Sequence, residues 1–90
     1  MIMVIAMNDI FLDMLPRIDL HGYDRDSARV MVNDFIDEAI AMRYSKVLII
    51  HGIGSGVVRE TVHEVLSKRH DVKNYYVAFQ NIGCTVVEIK

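Results

Sequence analysis

The chain has 90 residues, 52% of them apolar and 24% charged, with a formal net charge of −2. Ninety residues of that composition predict one folded domain and argue against disorder. No apolar stretch approaches the about 18–20 residues of a membrane helix, and the mildly acidic balance restricts any nucleic-acid contact to a local patch.

Residues 1–13 read as an N-terminal extension to a domain spanning 14–90. The apolar start lacks the positive region of a signal peptide and runs into Asn8 and Asp9. Residues 2–6 suit an added edge strand or a tail. Residues 8–15 suit a short helical turn, broken by Pro16, because the residue before a proline is steered out of the helical region. A strand is expected at 17–20. Gly22-Tyr23-Asp24 then supplies a turn, with Asp24 as the cap of the next helix. Residues 25–43 carry Ala28, Met31, Val32, Phe35, Ile36, Ala39, Ile40 and Met42 on one stripe, the spacing of an amphipathic helix, with Asp34, Asp37 and Glu38 off it.

Residues 46–50 form a nearly unbroken aliphatic run, the pattern of a central strand or one covered on both faces. A glycine-rich loop follows. A second helix is expected at 57–68, with Val58, Val62, Val65 and Leu66 inward. A third strand is expected at 72–79, turn chemistry at Gln80-Asn81-Ile82-Gly83, and a last strand at 85–89, hairpin-paired with the third. The order β-α-β-α-β-β predicts an α/β fold of the α+β two-layer type, a mixed sheet with both helices on one face. The single cysteine, Cys84, allows no internal disulfide and fits a reducing, cytoplasmic setting.

The dipeptide His-Gly occurs twice, each time at the end of a strand-like run: Ile18-Asp19-Leu20-His21-Gly22, and Val47-Leu48-Ile49-Ile50-His51-Gly52 running into Ile53-Gly54-Ser55-Gly56. One helix separates them. A strand–helix–strand crossover leaves its strands parallel, so both motifs are expected on one edge of the sheet, where open α/β sheets bind ligands. The glycine loop opens a helix, whose free amides and dipole favour an anion, and Arg59 lies one turn in. The spacing is neither that of a nucleotide-triphosphate loop nor that of a dinucleotide fingerprint. On its own the run fits an unliganded connector equally well. If the first strand stays extended, Asp19 and His21 point to the same face. Asp19 can then orient the imidazole of a general base, although a hydrogen-bonded strand end explains this pair alone more simply. Their pairing on one edge strengthens both signals.

The two motifs, with Arg59, closely resemble the signature motifs of the Smr (small MutS-related) domain family, and the resemblance covers Pro16 to the C-terminus. It implies a fold similar to the C-terminal domain of translation initiation factor three, in a stand-alone small Smr protein. It also implies nucleic-acid binding, with endonuclease activity on DNA or RNA in many members. The catalytic pair would fall on Asp19 and His21. The backbone-binding motif would fall on His51, Gly52, Gly54, Ser55, Gly56 and Arg59. The turn at Asn81-Ile82-Gly83-Cys84 departs from the family, which often has several glycines there.

Arg17, Gly22, Tyr23 and Arg25 are candidates for peripheral contacts; Tyr23 is able to stack on an unpaired base, although packing on its own helix is the simpler reading. Arg29 is a further basic residue near the site. His63 and His70 carry no expected role. Asp19, His21 and His51 are legal metal ligands, but no ligand spacing supports a metal site. A divalent cation such as Mg²⁺ is expected only if DNA is cut, where water must attack. The leading expectation is a phosphodiester-cleaving endonuclease with DNA or RNA as partner. The alternatives are a non-catalytic nucleic-acid or ribosome binding module, and last a small phosphate-ester enzyme or nucleotide binder. The expected assembly is a monomer or weak homodimer with no membrane association.

Overall fold

The computed structural model describes residues 14–79 and 81–90. The expectations for residues 1–13, including an edge strand or tail at 2–6 and most of the turn at 8–15, lie outside the described residues, as does Gln80.

The elements are β1 (Arg17–Asp19), α1 (Arg25–Ala41), β2 (Lys46–Ile50), α2 (Val57–Ser67), β3 (Val72–Val77) and β4 (Cys84–Ile89). They follow the β-α-β-α-β-β order read from the sequence. The four strands form one mixed sheet in the order β1-β2-β4-β3. β1 runs parallel to β2, with Asp19 opposite Ile50, and β4 is antiparallel to both β2 and β3. The aliphatic run of β2 is thus central, and β4 sits between β2 and its own hairpin partner.

Strand alternation sorts the core. Val47, Ile49, Val87 and Ile89 face the helices and pack with Leu20, with Val32, Ile36 and Ala39 of α1, and with Val62, Val65 and Leu66 of α2. Leu48, Ala78, Cys84 and Val86 form a second cluster, against which Leu15 and Ile50 pack.

Helix α2 ends one residue earlier and β4 begins one residue earlier than expected; three other boundaries differ, with α1 and β3 each closed by local hydrogen bonds. Helix α1 begins where expected, because the Asp24 carboxylate accepts the Ser27 amide at 2.7 Å. It ends two residues early. Arg43 adopts a left-handed φ of 61°, its amide bonds the Ile40 carbonyl, and the Tyr44 amide bonds the Ala39 carbonyl. This is a Schellman closure with arginine in the position usually held by glycine. Ile40 and Met42, expected inward, are therefore exposed. Strand β3 stops at Val77 because Asn81 builds a tight turn: its amide bonds the Ala78 carbonyl, its own carbonyl receives the Cys84 amide, and its side chain receives the Gly83 amide. Strand β1 ends at Asp19, one residue short, with consequences for the site. Among the described residues no helix is long and apolar enough to cross a membrane.

Candidate active site

The parallel β1–β2 pair ends on one edge, and the Leu20 amide closes it by donating to the Ile50 carbonyl at 2.7 Å. The chain then leaves both strands at adjacent points. A Cβ on Gly52 would stand 3.2 Å from the Cβ of His21, so the two His-Gly motifs touch, and Gly52 holds a φ of +82° that only glycine adopts without strain. Between them opens a concave pocket of about 470 Å³ lined by residues 21–23 and 51–58.

Asp19 and His21 meet by a different route from strand parity. His21 lies in the turn after β1, where its backbone amide donates to Asp19 Oδ1 at 3.1 Å. Its ring Nδ1 lies 2.6 Å from the same oxygen. The hydrogen bond from the His21 ring, then that from its amide, holds the Asp19 carboxyl below the usual carboxylate range. An ionised carboxylate only accepts, so Nδ1 carries a hydrogen, and in the neutral ring the lone pair is on Nε2. The imidazole is largely exposed, which leaves Nε2 accessible from the pocket.

His51 is buried, and both its ring nitrogens are engaged inside the protein. Nδ1 donates to the Gly52 carbonyl at 2.8 Å, and Nε2 lies 2.9 Å from Thr85 Oγ1. The same hydroxyl is 2.8 Å from His63 Nε2. Burial, and then the nearby positive charge of Arg59, pushes the His51 imidazole down; burial, His51 and Arg59 do the same to His63. His51 meets the pocket as part of its wall. The loop is also tied to the β3–β4 turn, since the Gly83 carbonyl receives the amides of both His51 and Gly52, at 2.9 and 3.0 Å.

Beyond Gly52 the amides of Ile53, Gly54, Ser55 and Gly56 have no hydrogen-bond partner among the described residues. They lead directly into the first turn of α2. The Arg59 guanidinium folds back over this loop, 3.7 Å from where a Cβ on Gly56 would stand, and makes no ion pair among the described residues. Four consecutive amides without a partner among the described residues, a helix start and a cation are the groups of a cradle that can receive an anion, beside the His21 imidazole.

The structure gathers His21, Gly22, Tyr23, His51, Gly52, Gly54, Ser55 and Gly56 around the pocket, with Asp19 behind His21 and Arg59 at the rim. Arg17 and Arg25 do not line it. Arg17 shares the helix-free face of β1 with Asp19 and donates to the Leu15 carbonyl, and the charge of Arg25 acts on Glu64. Thr85, not singled out in the sequence, and His63, given no role there, join the site through His51. Their signal was the β4–β2 register, which sets Thr85 opposite Ile49, and sequence spacing alone does not reveal that pairing. Among the described residues no three His, Cys, Asp or Glu side chains gather to hold a metal.

The sequence matches the profile of the Smr domain over residues 18–90. It is 39% identical over 77 residues to "Endonuclease MutS2" of Streptococcus suis, covering 82% of this chain and 10% of that protein. It is 41% identical over 76 residues to the protein of the same name from Streptococcus uberis, covering 81% and 10%. The chain thus spans about a tenth of the length of these relatives. Two crystal structures superpose closely. The Smr domain of Thermus thermophilus MutS2 gives a TM-score of 0.82 at 28% identity, over 84% of this chain and 99% of that one. YdaL, a stand-alone small MutS-related protein from Escherichia coli, gives 0.78 at 30%, over 82% and 63%. Profile, relatives and superposed structures agree with the two touching His-Gly motifs: this chain belongs to the Smr domain family.

Proposed function

We propose that this domain grips a nucleic-acid backbone in the glycine-loop cradle and cleaves a phosphodiester bond there. The observation that carries the reading is the contact between Gly52 and His21, which sets a free imidazole nitrogen beside four unpaired amides. The relatives named endonuclease support it.

In this reading the phosphate sits on the amides of residues 53–56, and Arg59 adds a charge-assisted contact. His21 Nε2 removes the proton from the attacking hydroxyl, and Asp19 stabilises the imidazolium that forms. The amides and Arg59 offset the negative charge growing on the phosphoryl oxygens. With RNA the attacking group is the adjacent 2′-hydroxyl; its oxygen bonds to phosphorus as the bond to the 5′-oxygen breaks, which leaves a cyclic phosphate. With DNA the attacking group is water, whose oxygen bonds to phosphorus as one bridging phosphorus–oxygen bond breaks. In both cases the departing oxygen takes up a proton from solvent, and the His21 imidazolium returns its own proton to solvent to complete the turnover. Asp19, the carboxylate beside the pocket, is engaged with His21. A divalent ion would therefore have to draw most of its ligands from substrate and water.

The test is cleavage of end-labelled RNA and nicking of plasmid DNA by wild type, His21→Ala and Asp19→Asn. Both variants should lose about 10²–10⁴-fold in rate, the usual worth of a positioned acid or base, while still binding substrate. Arg59→Ala should weaken binding across sequences and lower the salt slope by about one. Unchanged cleavage by purified His21→Ala removes the imidazole from the mechanism, and a wild type that binds without making product overturns the cleavage step.

A further inference from the structure

A chain of hydrogen bonds runs from the middle of α2, through the sheet, to the glycine loop. It joins His63 Nε2 to Thr85 Oγ1 at 2.8 Å, Thr85 Oγ1 to His51 Nε2 at 2.9 Å, and His51 Nδ1 to the Gly52 carbonyl at 2.8 Å. Thr85 is fully buried and His51 nearly so.

The chemistry of the partners fixes the direction of every bond. A carbonyl only accepts, so His51 Nδ1 carries the hydrogen. A neutral His51 then has its lone pair on Nε2, and Thr85 must donate to it. The Thr85 oxygen is left to accept, and His63 supplies the donor from Nε2. No buried side-chain nitrogen or oxygen among the described residues lacks a partner in this arrangement, as a dry interior demands.

The far end of the chain sets the shape of the cradle. In a trans peptide the carbonyl and the following amide point in opposite directions. With the Gly52 carbonyl held inward on the His51 ring, the Ile53 amide turns outward, the first of the four unpaired donors. A hydroxyl has one hydrogen and two lone pairs, so a donor at His63 turns the Thr85 hydrogen toward His51. Without that donor the hydroxyl can rotate its hydrogen away and accept from His51 Nε2–H instead. A ring in that tautomer turns an Nδ1 lone pair on the Gly52 oxygen, two acceptors in repulsive contact, and the peptide swings away.

We propose that His63 is a positioning residue of the phosphate loop: acting through Thr85, it holds His51 in the Nδ1–H form, and His51 holds the Gly52 peptide so that the Ile53 amide faces the cradle. The link from cradle to phosphate rests on the function proposed above; the link from His63 to the Gly52 peptide does not.

Two variants separate this role from packing. His63→Gln keeps a nitrogen donor near the Nε2 position. His63→Phe keeps the ring and its contact with Tyr75, whose centroid lies 5.3 Å away, but donates nothing. Long-range nitrogen–proton correlation spectra of the histidines report the tautomers, backbone amide spectra report the loop, and titration with a short mixed-sequence oligoribonucleotide reports the cradle. Wild type and His63→Gln should show His51 as the Nδ1–H form with matching Ile53 and Gly54 amide signals. His63→Phe should show a mixed His51 tautomer, displaced signals for both amides and about a tenfold loss of oligonucleotide affinity, the worth of one hydrogen bond to a charged group. A packing role ranks the variants the other way, with Phe close to wild type and Gln impaired, and that result overturns the proposal. So does a wild-type His51 carrying its hydrogen on Nε2. Tautomer and amide changes as expected, in a protein that binds no oligonucleotide, would uphold the positioning role and overturn the phosphate reading instead.

Discussion

Substituting Gly52 by alanine tests the contact on which the site depends. Two costs add at this position. The backbone sits at φ +82°, and a left-handed conformation costs a non-glycine residue about 1–2 kcal/mol. The new methyl would also stand 3.2 Å from the Cβ of His21. That Cβ is fixed to the backbone and cannot swing aside, so the two loops must part by a few tenths of an ångström, which adds about 1–2 kcal/mol of overpacking. The sum is about 2–4 kcal/mol, a large share of the about 5–13 kcal/mol typical of a domain this size. Two control substitutions isolate the terms. Gly22→Ala has a similar φ of +81° but open space, so it carries the backbone cost alone. Gly54→Ala has neither a positive φ nor a neighbour within 4 Å and should be close to neutral. Urea denaturation read by circular dichroism should rank Gly52→Ala below Gly22→Ala and Gly22→Ala below Gly54→Ala. At equal denaturation slopes, a Gly52→Ala that matches Gly22→Ala within about 0.5 kcal/mol would mean that the two motifs do not touch, and the single-pocket argument would fail with it.

Burial holds His51 and His63 neutral, with their folded values below the ordinary 6.5. The unfolded chain therefore binds protons first as pH falls, and the stability these groups contribute is present above about 6.5 and lost as pH drops from there through the folded values. Denaturation midpoints should fall between pH 7 and the mid-5 range, and less so in His63→Gln; a flat wild-type profile there would show that neither ring is held neutral. Away from the site, Arg69 joins α1 to the α2–β3 turn. It forms a bidentate pair with Asp71 at 2.9 Å, bonds Asp37 at 2.6 Å, and donates to both oxygens of Asn33 at 3.1–3.2 Å. Arg69→Met should cost about 2 kcal/mol in thermal or urea unfolding, and Arg69→Lys should recover little, because an ammonium cannot reproduce the fork. A loss under about 0.5 kcal/mol for Met would reduce these contacts to surface decoration.

The sequence by itself carried what is encoded locally. The α1 stripe of Ala28, Val32, Ile36 and Ala39, the Asp24 cap, and the aliphatic run of β2 each depend on spacing or on a partner within four residues. The two His-Gly motifs were legible as neighbours because a crossover of one helix forces their strands parallel and their ends onto one edge. Where local chemistry competed with periodicity, the sequence reading ran long: the left-handed Arg43 closed α1 before its apolar stripe was spent, and the Asn81 turn cut β3 short. The tertiary structure decided what crosses the sheet. Nothing local dictates that β4 should lie between β2 and β3; that order follows from burying apolar side chains on both faces of β2 and β4 at once. This arrangement alone brings Thr85 to His51 across 34 residues of chain, and His63 to the same hydroxyl. Residue types and spacing named the groups able to do the chemistry, but a ring's tautomer and the direction of a peptide are set by the partners that long-range packing delivers.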